Sequence, residues 1–351
     1  MRRAASGTFE LSAMLIGLRL GLYQALRDGG PATSTELASR TGTAERPIRE
    51  WLEHGAVDGL LELEADSHDP GARRFSLPAA HAEALLDAES LGYAGPMPIQ
   101  VIAAVGSLPR VIESFRTGEG FAYGASGEDM VVSEGNANRP AYLGPLGHEW
   151  LPSIADVHAR LLAEPPARIA DIGCGLGWSS IGIALAYPMV SVDALDLDAP
   201  SIDMARRNAA GADVGDRVRF VVADAAATGL GGGYDLITLF ESFHDMAHPV
   251  AILAELARLL GTDGSIVIAD TKTSERFEVP PTDAFEAYHY GWSIMQCLHG
   301  GLQDGGAGTG TVMRPDTLRR YAEAAGLGRV DILPIEHDSW RFYRLRPSSN
   351  D

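Results

Sequence analysis

The feature that most constrains this chain is a glycine-rich segment, Arg168-Ile-Ala-Asp-Ile-Gly-Cys-Gly-Leu-Gly177. Its apolar run predicts a short strand, and glycine at every second position allows a sharp turn and close approach of a ligand to the backbone. The helix expected next, from Trp178 to Tyr187, directs unpaired N–H groups and a positive dipole end towards that ligand. Asp196 closes the next apolar run, where an acid can accept hydrogen bonds from ribose hydroxyls. The segment therefore predicts a nucleoside site in an α/β sheet.

The spacing of the glycines separates two kinds of nucleoside. A dinucleotide site has the pattern G-x-G-x-x-G, whose third glycine allows close packing of helix on strand. Here the spacing is G-x-G-x-G, and Trp178 stands where the third glycine of a dinucleotide site would fall. The pattern disfavours NAD.

The form D-x-G-x-G-x-G resembles the first motif of class I S-adenosylmethionine (SAM) methyltransferases, which convert SAM to S-adenosylhomocysteine (SAH). In that family the glycine loop faces the methionine part of SAM, the acid after the second strand holds the ribose, and an acid after the third strand binds the adenine amino group. The resemblance implies these cofactor-binding residues: Asp171, Gly173, Cys174, Gly175, Gly177, Asp196, Leu197, Asp224, Ala225 and Phe240.

Later segments follow the same family's order. Strands are predicted at Val218 to Val222, Tyr234 to Phe240 and Gly264 to Asp270, and a hairpin at 329–335 and 339–345. The resemblance implies a class I methyltransferase domain over residues 164–351, with an insertion at 273–313. This is an α/β, Rossmann-like fold whose seven-stranded sheet has an antiparallel last strand.

Residues 1–90 predict a separate winged-helix domain. Apolar residues have helical spacing from Phe9 to Arg27, Thr33 to Glu36 resembles a capping box that opens a helix ending at Arg40, and a third helix runs from Glu45 to Gly59. Strands are predicted at 60–64 and 74–77, joined by a polar loop. A winged helix can bind DNA through its third helix, or it can dimerise and help to wall an active site.

Charge favours dimerisation over DNA binding. Residues 1–90 carry nine basic and fourteen acidic side chains, and the whole chain has a net charge of -19. DNA binding needs a basic face that releases counterions. We therefore expect a homodimer formed through this domain, as in O-methyltransferases of similar architecture, and no nucleic-acid partner.

Composition sets wider limits. The 351 residues are 46% hydrophobic, enough for a full core and two domains. The apolar run Leu11 to Leu26 contains Arg19 and Gln24, which predicts neither a signal peptide nor a membrane span. A cytoplasmic protein is expected. The two cysteines have no metal-binding spacing, and His244 with His248 lacks a third ligand, so no metal site is expected.

Two regions carry candidate substrate residues. The segment 91–163 has helical apolar spacing at Val101 to Phe115 and Leu151 to Leu162, with a glycine-rich stretch between that includes Tyr123. This bridge is either an aromatic wall of the substrate site or a linker whose aromatic side chains pack between domains. Pro281 to Leu298 has aromatic residues at helix-like spacing, which either cover the substrate or form buried packing. The predicted substrate contacts are Tyr123, Tyr288, His289, Trp292 and His299.

The catalytic prediction falls at the end of the fourth core strand. Ligands of open α/β sheets bind outside the carboxyl ends of the strands, and this one continues as Phe240-Glu-Ser-Phe-His-Asp245. His244-Asp245 stands where winged-helix O-methyltransferases carry a His-Asp pair whose histidine is the general base. That resemblance implies His244 as base, oriented by Asp245 or Glu241, with Glu241 the second choice of base. Polar residues that merely line the cofactor or cap a helix are the alternative.

The sequence as a whole resembles bacterial winged-helix methyltransferases. This implies SAM-dependent methyl transfer to a small, secondary-metabolite-like acceptor, with oxygen the first choice of acceptor atom and nitrogen or carbon open. Two other functions remain: a SAM-responsive winged-helix transcriptional regulator, and a SAM-binding cyclase that transfers no methyl group.

Overall fold

Two compact units make up the chain, Met1–Ala103 and Ala104–Asp351. A computed structural model describes residues 1–283 and 285–347. Residues 284 and 348–351 of the predicted methyltransferase domain therefore lie outside the described residues. The two units are described separately, and the predicted subdivision at residues 90 and 163 stays a prediction.

The first unit has five helices and a two-stranded antiparallel wing, and helix α6 crosses into the second unit. Its elements are α1 (Arg2–Arg19), α2 (Leu22–Gly29), α3 (Ser34–Thr41), α4 (Glu45–Val57), β1 (Glu62–Ala65), β2 (Arg74–Ser76), α5 (Ala79–Leu86) and α6 (Pro96–Gly106).

The predicted winged helix is present, with one correction. The single helix expected from Phe9 to Arg27 is wrong, because Gly21 adopts a left-handed conformation and separates α1 from α2. The capping box is confirmed: the Thr33 side chain accepts from the Glu36 backbone N–H, and the Glu36 carboxylate accepts from the Thr33 N–H.

The second unit continues with eleven helices and seven strands among the described residues. The helices are α7 (Leu108–Thr117), α8 (Glu128–Ala137), α9 (Arg139–Leu143), α10 (Leu151–Ser153), α11 (Ala155–Leu161), α12 (Trp178–Ala186), α13 (Ala199–Gly211), α14 (Pro249–Leu259), α15 (Glu286–Trp292), α16 (Leu298–Gly301) and α17 (Pro315–Ala324). The strands are β3 (Arg168–Ile172), β4 (Ser191–Asp196), β5 (Val218–Val222), β6 (Tyr234–Phe240), β7 (Leu260–Thr271), β8 (Arg329–Ile332) and β9 (Trp340–Arg346).

The strands form one sheet in the order β5-β4-β3-β6-β7-β9-β8. Pairing is parallel from β5 to β7, and β9 is antiparallel to both β7 and β8. The predicted seven-stranded sheet with an antiparallel last strand is confirmed. Chain order reverses at β3, which pairs with β4 on one side and β6 on the other, and this is where such sheets bind ligands.

The bridge is largely helical. The apolar spacing from Val101 to Phe115 belongs to two helices, because α6 ends at Gly106 and α7 begins at Leu108, with a proline in its first turn. The glycine-rich stretch between residues 118 and 147 contains α8 and α9. No helix in the described part of the chain is long and apolar enough to cross a membrane.

Helix α12 packs very closely on the bridge. A Cβ atom on Gly182 would lie 2.0 Å from the backbone oxygen of Tyr142, in α9. The backbone of α9 therefore fixes the identity of this residue, because no side chain can be accommodated without movement of the main chain.

We expect Gly182→Ala to lower the free energy of unfolding by about 1–3 kcal/mol, since it overpacks a buried helix contact. Gly211→Ala is the matched control, because a Cβ there meets no atom within 4 Å at the end of α13. That control is expected to be neutral or stabilising by up to about 1 kcal/mol. Urea unfolding measures both, and equal stabilities of the two variants would show that α12 and α9 do not touch at Gly182.

Candidate active site

The glycine loop makes the predicted sharp turn after β3. Gly173, Gly175 and Gly177 have φ angles of +70°, +49° and +81°, which side chains rarely adopt. The N–H groups of Gly173 and Cys174 donate to the carbonyl of Leu195, at 2.8 and 3.0 Å, and hold the loop against the end of β4. A Cβ on Gly175 would meet no atom within 4 Å, so this residue leaves open space beside the loop.

Asp196 stands opposite the loop at the end of β4. Its carboxylate accepts from the N–H of Gly175 at 2.8 Å and from the N–H of Asp198 at 2.9 Å. Burial raises the pKa of Asp196, and these two N–H groups oppose that shift. The carboxylate of Asp196 is therefore held in one orientation, and it keeps lone pairs that can accept hydrogen bonds from a ligand.

Asp171 lies beneath the loop. Its carboxylate accepts hydrogen bonds from Ser179 at 2.6 Å, Ser180 at 2.5 Å and Thr238 at 2.7 Å. Burial raises the pKa of Asp171, and the three hydroxyls oppose this. Its side chain thus connects β3, α12 and β6.

A cavity of about 350 Å³ opens beside the loop and the ends of β4, β5 and β6. This is a normal size for a small-ligand site. The predicted site residues that line it are Tyr123, Gly173, Cys174, Gly175, Asp196, Leu197, Asp224, Ala225, Phe240, Glu241 and Asp245. The predicted site residues that do not line it are Asp171, Gly177, His244, Tyr288, His289, Trp292 and His299.

His244 is buried and held between two carboxylates. Its Nδ1 lies 2.6 Å from Asp270 Oδ1, its backbone N–H donates to Asp270 Oδ2 at 3.2 Å, and its Nε2 lies 3.2 Å from Asp245 Oδ1. The sequence interpretation gave orientation of the ring to Asp245 or Glu241. In the structure Asp270, at the end of β7, makes the close contact with Nδ1.

The charge on His244 is set by this environment. Burial disfavours the charged imidazole, but the carboxylates of Asp270 and Asp245 outweigh it and raise the pKa of His244 well above its ordinary value. His244 therefore keeps its charge to a higher pH than an exposed histidine does.

Glu241 and Glu134 add two further carboxyl groups to the cavity wall. Glu241 adopts a left-handed φ of +53°, and its buried Oε1 has no hydrogen-bond partner. Burial raises the pKa of Glu241 well above its ordinary value. Glu134, which the sequence interpretation missed, accepts a hydrogen bond from the Tyr123 hydroxyl, and burial raises its pKa to about 7.

The predicted substrate contacts of the insertion do not line the cavity. His299 uses both ring nitrogens, Nδ1 with Ser114 at 2.7 Å and Nε2 with the Ile294 carbonyl at 2.8 Å. Tyr288 and Trp292 pack edge to face, with ring centroids 6.0 Å apart. Burial lowers the pKa of His289, whose Nδ1 has no partner. A substrate role for these four side chains stays a prediction.

One group of side chains has metal-ligating atoms close together. Atoms of His244, Asp245 and Cys297 all lie within 4.8 Å of one another. Burial raises the pKa of Cys297 to about 12, which keeps its thiol protonated and disfavours metal binding. The metal-free site stays a prediction.

Comparison with known proteins identifies both parts of the chain. Residues 169–264 match the family described as "Methyltransferase domain", and residues 10–86 match the "Rv2258c-like winged HTH domain". The release factor glutamine methyltransferase of Chlorobaculum tepidum is 43% identical over only 79 residues, 21% of this chain and 26% of that protein.

Longer similarities come from three further proteins. The demethylmenaquinone methyltransferase of Thermus thermophilus is 30% identical over 49% of this chain and 80% of its own length. The mitomycin biosynthesis 6-O-methyltransferase of Streptomyces lavendulae is 25% identical over 77% of this chain and 76% of its own. The solved structure of mitomycin 7-O-methyltransferase superposes with a TM-score of 0.73 at 21% identity, covering 99% of this chain and 96% of that one.

Fold and site together define an α/β enzyme of the methyltransferase class. The chain belongs to the SAM-dependent methyltransferases. Its cofactor is SAM, which becomes SAH.

We expect Asp270→Asn to lower the free energy of unfolding more at low pH than at high pH. Burial opposes a charged His244, but Asp270 and Asp245 raise its pKa in the folded chain. The stabilisation from its charge is therefore complete below the unfolded pKa of about 6.5, and is lost as the pH rises through the raised folded value. Urea unfolding near pH 6 is expected to show a loss of about 3 kcal/mol or more, as for a broken buried pair, and a smaller loss near pH 9.

Asp316→Asn is the control for that experiment. Asp316 is exposed and pairs with Arg319 at 2.7 Å on α17, so its loss is expected to change stability by less than about 1 kcal/mol at either pH. A deficit of Asp270→Asn that does not change with pH would contradict the charged state of His244.

Proposed function

We propose that this enzyme transfers the methyl group of SAM to a hydroxyl oxygen of a small-molecule acceptor. One observation carries the proposal: a single cavity joins the glycine loop and Asp196 to Glu241 and Asp245, next to the His244–Asp270 pair. Relatives named for O-methylation of mitomycin and for methylation of demethylmenaquinone support a small-molecule acceptor.

The residues around the loop fit the cofactor. Gly175 leaves open space where a side chain would fill the site, and Asp196 presents a fixed carboxylate to a ribose diol. Asp224 and Ala225 line the same cavity after β5 and would hold the adenine. When bound, SAM supplies a methyl carbon activated by a neighbouring sulfonium.

The chain then has three tasks: to hold the acceptor in line, to exclude water and to remove one proton. A new carbon–oxygen bond forms as the carbon–sulfur bond breaks, and the hydroxyl proton leaves for a base. We assign that base to His244, whose Nε2 lies next to the cavity-lining Asp245. Asp270 holds the ring through Nδ1, and Glu241 is the second choice of base.

We further propose that the first unit dimerises and does not bind DNA. The arginines of α4 are engaged by acids of the same helix, Arg46 with Glu50 and Arg49 with Glu45, which leaves little free positive charge. Exposed apolar side chains on this unit, among them Phe9, are consistent with a partner subunit. Cytoplasmic location stays a prediction.

Three measurements test these proposals. SAH released in equal amounts with a methylated catechol or hydroquinone supports methyl transfer, whereas a changed product without SAH supports the non-methylating cyclase. A gel-shift at physiological salt tests the transcriptional regulator, and sedimentation of the full chain tests the dimer.

We expect Asp196→Ala to weaken binding of SAH by about tenfold or more, because hydrogen bonds to a charged group contribute about 1.5–3 kcal/mol. Asp203→Ala is the control, since Asp203 is exposed on α13 and pairs with Arg206. Calorimetry with SAH measures both. Unchanged affinity in Asp196→Ala would remove this residue from the cofactor site.

We expect His244→Ala to reduce turnover by about 100-fold with SAH affinity intact, because general-base catalysis contributes about 10²–10⁴-fold. Wild-type turnover should rise with pH through the raised pKa of His244, since only the neutral ring accepts a proton. His148→Ala is the control, because His148 is exposed, and it should leave turnover unchanged. If His244→Ala keeps the wild-type pH profile and Glu241→Gln loses it, the base is Glu241.

A further inference from the structure

Carboxyl groups dominate the ionisable side chains that line the cavity. Among the described residues the wall has seven carboxylates and no lysine or arginine. The carboxylates are Glu134, Asp196, Asp198, Asp224, Glu241, Asp245 and Asp304. Such a lining repels an anionic ligand and attracts a cationic one.

Six of these seven carboxylates fall into two groups. Asp196, Asp198 and Asp224 follow β4 and β5, on the cofactor side. Glu134 and Glu241 lie with Asp245 on the other side, close enough that Asp245 raises the pKa of each of them in addition to burial. The resemblance puts the ammonium-bearing methionine part of the cofactor at the glycine loop and its neutral ribose and adenine at the first group, which leaves the second group for the acceptor.

Asp245 of the second group contacts His244, but among the described residues no ion pair neutralises Glu134 or Glu241. His244 lowers the pKa of both Glu134 and Glu241, but its ring is already held by Asp270 and Asp245. Oε1 of Glu241 is buried without a hydrogen-bond partner, which is unfavourable unless a ligand supplies one. Glu134 is held by the hydroxyl of Tyr123, on the cavity wall.

We propose, building on the methyl-transfer function above, that the acceptor carries a protonated amine and that Glu134 and Glu241 bind it. An ammonium group offers one positive charge and up to three N–H donors, which suits two neighbouring carboxyl groups, one of which has an unpartnered oxygen. Glu134 is a specificity-determining residue: its carboxylate selects amine-bearing acceptors over neutral or anionic ones. The pKa of Glu134, about 7, means that it ionises readily when a cation is present.

The test uses three catechols of similar shape and different charge. Dopamine is a cation, hydroxytyrosol is neutral and dihydroxyphenylacetate is an anion at neutral pH. Calorimetry on the full chain saturated with SAH gives their dissociation constants for the wild type and for Glu134→Gln. Glu128→Gln is the matched control, because Glu128 is exposed at the start of the same helix, α8.

We expect dopamine to bind at least about tenfold more tightly than dihydroxyphenylacetate, with hydroxytyrosol between them, as for a charged hydrogen bond. Glu134→Gln should remove most of the difference, and Glu128→Gln should keep it. The proposal is overturned if the three catechols bind with equal affinity, if none of them binds, or if the anion binds most tightly. It is also overturned if Glu134→Gln weakens SAH itself, since the carboxylate would then serve the cofactor.

The proposed function has a separate readout in the same samples. With SAM in place of SAH, release of SAH with any of the three catechols supports methyl transfer whatever their order of affinity. Failure of the wild type to bind SAH would reject the function itself, whereas a flat charge series with SAH release would reject only the amine.

Discussion

The architecture of the site depends most on the buried carboxylate of Asp171. Its two oxygens accept from Ser179 and Ser180 in α12 and from Thr238 in β6. Without those hydroxyls a buried carboxylate would be strongly unfavourable. Burial of Asp171 therefore requires that β3, α12 and β6 pack together. The glycine loop starts two residues later, and its N–H at Gly175 then meets Asp196.

The same strand order brings the acceptor side into place. Because β6 and β7 are parallel neighbours, the residues that follow them emerge at one edge, and this puts Glu241 and His244 near Asp270. The tight turn after β6 requires the left-handed backbone of Glu241. Such strained residues are found at functional sites, where the surrounding structure compensates for them.

The local part of this arrangement could be predicted from the sequence, and the non-local part only in outline. Glycines at alternate positions predict the turn of the loop, and an acid at the end of an apolar run predicts the position of Asp196. Both features depend only on neighbours in the chain. Asp270 could have been proposed, since it ends a predicted strand at the same edge. Glu134 could not, because no pattern in a glycine-rich stretch shows which face of α8 packs against the cavity. The partner of His299 could not be predicted either, because Ser114 is 185 residues away in the chain.

Buried carboxylates in an apolar wall make the empty site less stable than a neutral one would be, and this favours ligands that compensate the charge. Binding stabilises the folded state in proportion to how well a ligand does so. The acids that follow β4 and β5 would accept hydrogen bonds from the ribose and adenine of the cofactor, and an acceptor amine would supply positive charge to Glu134 and Glu241. Recognition of both therefore follows from one property, an acidic cavity in which His244 is already paired with Asp270. Specificity for such an acceptor would rest on charge that the fold leaves unbalanced.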